Sequence, residues 1–84
     1  MWSVYILQCC DKTLYTGVTT DIDARLHAHN HLVSGAKYTR IRRPVSLVYS
    51  ENCESRSVAQ KRESEIKKLT RSNKLKLIAV NRNS

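Results

Sequence analysis

The stretch Leu14–Asn30, LYTGVTTDIDARLHAHN, decides how the chain reads. It opens on an exposed-looking tyrosine turn, Tyr15-Thr16-Gly17, and runs into a helical segment carrying Arg25 and His29. Those two residues are four apart, so on a helix they leave the same side, one turn above the other. A phenol, a guanidinium and an imidazole converging on one spot form chemistry suited to a phosphate. The net charge of +8 agrees with a polyanionic partner.

Local patterning extends outward from this stretch. Trp2–Cys9 reads as a strand, with Val4, Tyr5, Ile6 and Leu7 as a run of strand formers. The polar step Cys10–Thr13 suits a hairpin connection to a second strand over Leu14–Thr19. Tyr5 and Tyr15 then lie on adjacent antiparallel strands, and register decides whether they share a face. Thr20 is the expected N-cap of a helix from Asp21 to about Asn30, with Asp23 as a weak capping-box partner. Ile22 and Leu26 form its buried stripe, which puts Arg25 and His29 at the border of core and solvent.

His31–Pro44 lacks periodicity and reads as a basic loop holding Lys37, Arg40, Arg42 and Arg43. Val45–Ser50 is a third strand. Ser55–Thr70 is the longest helix, with Val58, Ala59, Ile66 and Leu69 as its apolar stripe. Ser72 caps a last helix holding Leu75, Leu77 and Ile78, and the polar tail from Asn81 frays. The order β-β-α-β-α-α gives an α+β fold, a three-stranded mainly antiparallel sheet flanked by helices.

With 84 residues, the expectation is a single domain over 1–84 with a thin stability margin. No apolar run is long enough to span a bilayer, and no signal-peptide pattern stands at the start, so a soluble, cytoplasmic protein is expected. Cys9, Cys10 and Cys53 read as free thiols of a reducing compartment. A zinc site built from them with His27, His29 and His31 is the sharper alternative, but no CxxC is present. Basic residues with no wide apolar face argue against membrane binding.

Taken together, Val4-Tyr5-Ile6, Tyr15-Thr16-Gly17, Thr19, Arg25 and His29 resemble the GIY-YIG nuclease superfamily. The resemblance continues through Leu47-Val48-Tyr49 to Ala59, Glu63, Ile66 and Lys67, and so covers nearly the whole chain. The loop Gly35-Ala36-Lys37-Tyr38-Thr39-Arg40 looks most like the small stand-alone members. Two departures stand out: Ser3, not glycine, precedes Val4, and Thr16 replaces the usual isoleucine.

What the resemblance implies is a metal-dependent DNA endonuclease in which water attacks a phosphodiester in line, with a role in DNA repair or recombination as one setting. Tyr5, Tyr15, Arg25, His29, Glu63 and Asn81 would be its catalytic residues, with Asn83 a rival for Asn81. Glu63 would hold one Mg²⁺ or Mn²⁺, an ion that keeps most of its water. Arg25 would hold the scissile phosphate through its planar fork. Tyr15 would take the proton from water, assisted by Tyr5 or His29. A tyrosine titrating near 10 is a weak base, so a protonated His29 and Arg25 would have to lower it. Alternatively, a neutral His29 relays the proton while Tyr15 positions water.

Without the resemblance, both tyrosines read as strand-packing residues and Arg25 and His29 as a solvated helix face. Glu63 and Glu65 sit at opposite edges of the helix stripe, and Glu63 could simply pair with Lys67. Lys37, Arg40, Arg42 and Arg43 are expected to contact phosphates, adding affinity that falls with salt. No base-reading helix is visible, so structure selectivity or a protein partner supplying specificity is expected. The competing function is a nucleic-acid-binding module that keeps the nuclease fold with little or no catalysis.

Overall fold

A computed structural model describes residues 1–32 and 36–82, with side chains through residue 80. In chain order the elements are β1 (Trp2–Gln8), β2 (Leu14–Thr19), α1 (Ile22–His31), α2 (Lys37–Arg40), β3 (Ser46–Cys53), α3 (Arg56–Lys67) and α4 (Arg71–Arg82). The strands form one antiparallel sheet in the order β2-β1-β3, so the most apolar strand lies in the centre. The expected α+β order is present, with α2 added as a single turn inside the segment read as loop.

Tyr15-Thr16-Gly17 is strand interior rather than a turn, and both Thr16 and Gly17 are buried. The turn lies earlier. Asp11 accepts bonds from the Thr13 backbone N–H at 3.1 Å and the Thr13 hydroxyl at 2.6 Å, while Lys12 takes the left-handed conformation at φ 72°. Third-strand pairing runs as far as Trp2 opposite Cys53, which extends β3 past Ser50.

The starts of α1 and α4 have different caps from those expected. The α1 cap is Asp21, whose carboxylate accepts from Ala24 N at 3.0 Å; Thr19 Oγ1 in turn accepts from Asp21 N. Ser55 caps α3 by accepting from Val58 N at 3.2 Å. Thr70, not Ser72, holds the start of α4, accepting from Asn73 N at 3.2 Å. Thr70 therefore belongs to the break after α3 instead of to α3 itself.

Side chains alternate across the sheet because the strand period is two. Val4, Ile6, Tyr49 and Cys53 meet Ala59 and Ile66 of α3 and Ile78 of α4 on one face. Val58, expected in the stripe, is exposed. The opposite face carries Tyr5, Leu7 and Cys9, which pack with Val45 and with Tyr15 and Leu26. Tyr5 faces Gly17, and Leu7 faces Tyr15, so both tyrosines share the α1 side of the sheet. That register, invisible in the sequence, is what lets the phenols approach one helix.

Among the described residues no helix is long and apolar enough to cross a membrane. All three cysteines are free thiols, Cys9 and Cys53 buried and Cys10 exposed.

Candidate active site

The site forms where α1 crosses the Tyr5–Tyr15 face. His29 is fully buried, 0 % exposed, so it is a core residue and not a border one as the wheel suggested. The Leu26–His29 side of α1 faces the sheet, leaving Ile22 only half-buried. His29 Nε2 lies 2.9 Å from Tyr5 Oη, and its Nδ1 lies 2.7 Å from Thr39 Oγ1. The Thr39 hydroxyl donates to the Ala36 carbonyl at 2.9 Å. Both imidazole nitrogens are thus engaged by buried hydroxyls.

Tyr15 meets the same imidazole edge-on, with ring centroids 5.1 Å apart, and its other side stacks on Tyr38 at 6.0 Å. Tyr15 is half-exposed where Tyr5 is 2 % exposed, so Tyr15 is the phenol nearer solvent. Gly17 gives Tyr5 its place: a Cβ there would sit 2.5 Å from Tyr5 Oη. No larger residue fits without moving the ring.

Electrostatics separate the two roles left open for His29. Burial first, then the charges of Arg25 and Arg43, push its pKa down to about 4. It is therefore neutral at physiological pH, and no imidazolium stands beside the tyrosines. Burial pushes the Tyr5 phenol up to about 12. A hydrogen bond and the charge of Arg25 oppose that rise, while Tyr15 and, most weakly, Glu63 add to it. Tyr5 thus lies within the field of Arg25, Tyr15 and Glu63 together, although the three come from α1, β2 and α3.

Glu63 is half-buried, and Lys67 Nζ lies 3.4 Å from its Oε2 as the i,i+4 pair allows. Such a pair, with the lysine exposed, contributes little to stability. Glu65 is more exposed and pairs with Arg62 at 3.5 Å, so the two carboxylates that helical periodicity could not separate differ in surroundings. The Asn81 side chain, Asn83 and Gly35 lie outside the described residues.

The basic segment divides in two. Lys37 and Arg40 are exposed. Arg42 lies 3.9 Å over the Tyr38 ring, donates to the Tyr38 carbonyl at 2.9 Å and pairs with Asp11 at 3.2 Å. Arg43 donates to the Ala28, His29 and Leu32 carbonyls, closing the C-terminal end of α1. Asn30 then ties α1 to the start of β3, accepting from Val45 N at 2.8 Å and donating to Val45 O at 3.0 Å.

Comparison with known proteins follows this geometry. The pattern of the GIY-YIG catalytic domain matches residues 1–76. The chain belongs to the GIY-YIG nuclease family. Among relatives, a UPF0213 protein of Desulfotalea psychrophila is 56 % identical over 77 residues, covering 92 % of this chain and 70 % of its own length. A UPF0213 protein of Staphylococcus aureus is 56 % identical over 75 residues, covering 89 % of this chain and 90 % of its own. The solution NMR structure of the E. faecalis protein EF2693 superposes with a TM-score of 0.66 at 40 % identity, covering 98 % of this chain and 86 % of that one. That of the UPF0213 protein BH0048 from Bacillus halodurans gives 0.61 at 43 % identity, covering 95 % and 85 %.

GIY-YIG nucleases are generally divalent-metal-dependent, so the donor set matters. Among the described residues, no group of three or more His, Cys, Asp or Glu side chains is placed to hold an ion. Magnesium tolerates a single protein carboxylate with water as its remaining ligands, and Glu63 would supply that carboxylate.

Thr39 and Asn30 are the site residues that sequence reasoning missed. Thr39 lies in a segment without periodicity, and nothing about an isolated threonine marks it as buried. Asn30 stands near a helix end, but its partner Val45 is 15 residues away, so the sequence carried no sign of the tie.

Proposed function

We propose that this GIY-YIG protein is a divalent-metal-dependent endonuclease acting on DNA phosphodiesters. Support comes foremost from one observation: the buried Tyr5 phenol lies 2.9 Å from His29 Nε2 on the face of the sheet that it shares with Tyr15. Arg25 grips the scissile phosphate. Its guanidinium carries five N–H donors, so holding Tyr5 and a phosphate oxygen are compatible. Tyr15, nearer solvent, orients the attacking water.

The water's proton passes to Tyr5 Oη as the phenol's own proton moves to His29 Nε2. The water oxygen bonds to phosphorus, the bond from phosphorus to the leaving sugar oxygen breaks, and that oxygen is protonated from solvent, while the proton on His29 Nε2 returns through Tyr5 Oη to solvent and restores the neutral ring. Glu63 would hold Mg²⁺ or Mn²⁺, which supplies charge stabilisation at the phosphate and leaving oxygen when bound. Asn81 is kept as a further participant on the strength of its place in the family pattern.

Lys37 and Arg40 extend the contact along the backbone, with Arg42 and Arg43 contributing charge from their anchored positions. With no base-reading helix evident among the described residues, selectivity is for DNA structure such as flaps or branches, or is lent by a protein partner. A cytoplasmic role in repair or recombination follows from that substrate class.

The test is cleavage of branched and linear DNA with Mg²⁺ or Mn²⁺ by wild type, Tyr15→Phe, Arg25→Ala and Glu63→Ala. Each variant should lose at least about 100-fold in turnover, the scale of a positioned catalytic group. Undiminished cleavage by Glu63→Ala overturns the metal assignment. Salt-sensitive binding with no turnover in wild type replaces the enzyme by a binding module.

A further inference from the structure

We infer that Thr39 is a positioning residue: it fixes the tautomer of His29 so that the bare Nε2 faces the Tyr5 hydroxyl. The catalytic consequence rests on the function proposed above; the tautomer rests on the hydrogen-bond geometry around a buried, neutral ring. A threonine hydroxyl has one proton to give. Thr39 gives it to the Ala36 carbonyl, which can only accept, at 2.9 Å. Toward His29 Nδ1, 2.7 Å away, its oxygen must then be the acceptor. Nδ1 therefore carries the single proton of the neutral ring, and Nε2 is bare.

Tyr5 Oη at 2.9 Å completes the chain by donating into Nε2. With its proton given to Nε2, Tyr5 Oη keeps its lone pairs as acceptors. The opposite tautomer would turn the Thr39 proton away from the Ala36 carbonyl, giving up the bond of a buried hydroxyl to an oxygen that also accepts from Thr39 N and Arg40 N.

The frame around Thr39 keeps it there. Thr39 is 0 % exposed, at the buried side of the one-turn helix α2. Its neighbour Tyr38 stacks on Tyr15 and lies against the Arg42 guanidinium, itself tied to Asp11. On the other side of the ring, Arg43 closes the end of α1 at the His29 carbonyl. Residues 38 to 43 thus hold the imidazole from its side chain and its backbone together.

The experiment uses ¹⁵N-labelled full-length protein and asks which His29 nitrogen bears the proton at neutral pH, in wild type, Thr39→Ser and Thr39→Val. Wild type and Thr39→Ser should show the proton on Nδ1. Thr39→Val, which keeps the shape and loses the acceptor, should move the proton to Nε2 or give a mixture. In the DNA cleavage assay Thr39→Val should lose roughly 100-fold in kcat with little change in KM, while Thr39→Ser stays near wild type.

A wild-type ring protonated on Nε2 overturns the inference, as does an unchanged tautomer in Thr39→Val or an equal kcat loss in Thr39→Ser. If Thr39→Val does not fold, the wild-type and serine spectra decide. Absence of cleavage by wild type would sink the proposed function and leave the tautomer result standing, so the two failures are separable.

Discussion

Replacing Gly17 by alanine tests the close approach on which the site is built. Gly17 stands opposite Tyr5 in the β1–β2 register, and an added Cβ would lie 2.5 Å from Tyr5 Oη and 2.7 Å from Cζ. Carbon contacts settle near roughly 3.5–4.0 Å, so the ring would have to move by about 1 Å. Tyr5 has nowhere easy to go, being 2 % exposed and bonded to His29. Overpacking of this kind costs roughly 1–3 kcal/mol, and weakening the phenol–imidazole bond adds about 1 kcal/mol. Against this, alanine restricts the unfolded chain and returns roughly 0.4–1 kcal/mol.

The net loss of about 2 kcal/mol should lower Tm by roughly 8–16 °C in a protein of this size, read by thermal unfolding. Misplacing a reacting group by about 1 Å should cost on the order of 100-fold in DNA cleavage. In a Tyr5→Ala background the same Gly17→Ala change should become neutral or slightly stabilising, because the clash is gone. A Gly17→Ala protein melting within about 2 °C of wild type, with cleavage intact, would refute the reasoning.

Three further outcomes follow from neighbouring features. His29 is held neutral in the folded protein down to about pH 4 but takes a proton near pH 6.5 when unfolded. Its contribution to stability is therefore complete above pH 6.5 and is lost as pH falls toward 4, by about 3 kcal/mol. Urea midpoints should show that slope in wild type and not in His29→Gln; equal slopes would contradict it. Asn30→Ala removes both bonds to Val45 and should cost roughly 1–3 kcal/mol, measured by urea unfolding, whereas an unchanged midpoint would show that the tie is not needed. Lys37→Ala and Arg40→Ala should each reduce the salt slope of DNA binding by roughly 1 without altering Tm, since both side chains are exposed. A slope that stays at the wild-type value would place the bound DNA elsewhere.

Strands, helices and their order were legible because they depend on local periodicity. The Val4–Leu7 run, the stripe of Ala59 and Ile66, and the tyrosine pair with Arg25 all show in the chain. Tyr15-Thr16-Gly17 proved strand interior, His29 core and Val58 exposed, because register and helix orientation are set by packing. Caps moved by one or two residues, from Thr20 to Asp21 and from Ser72 to Thr70, because several adjacent side chains can accept an orphan N–H and backbone geometry selects among them. One-turn α2 was missed because four residues carry no period.

By itself the chain determined which groups were available for chemistry: two phenols, one guanidinium, one imidazole and a carboxylate in order, on a strongly basic molecule. Folding decided their state. Register put Tyr5 over Gly17 and beside His29, and burial withdrew water from an imidazole that the helical wheel left at the border of core and solvent. A segment without periodicity then supplied Thr39 and Arg43 around the same ring. Desolvation and hydrogen-bond direction depend on residues far apart in sequence, so a one-dimensional pattern carries no trace of them.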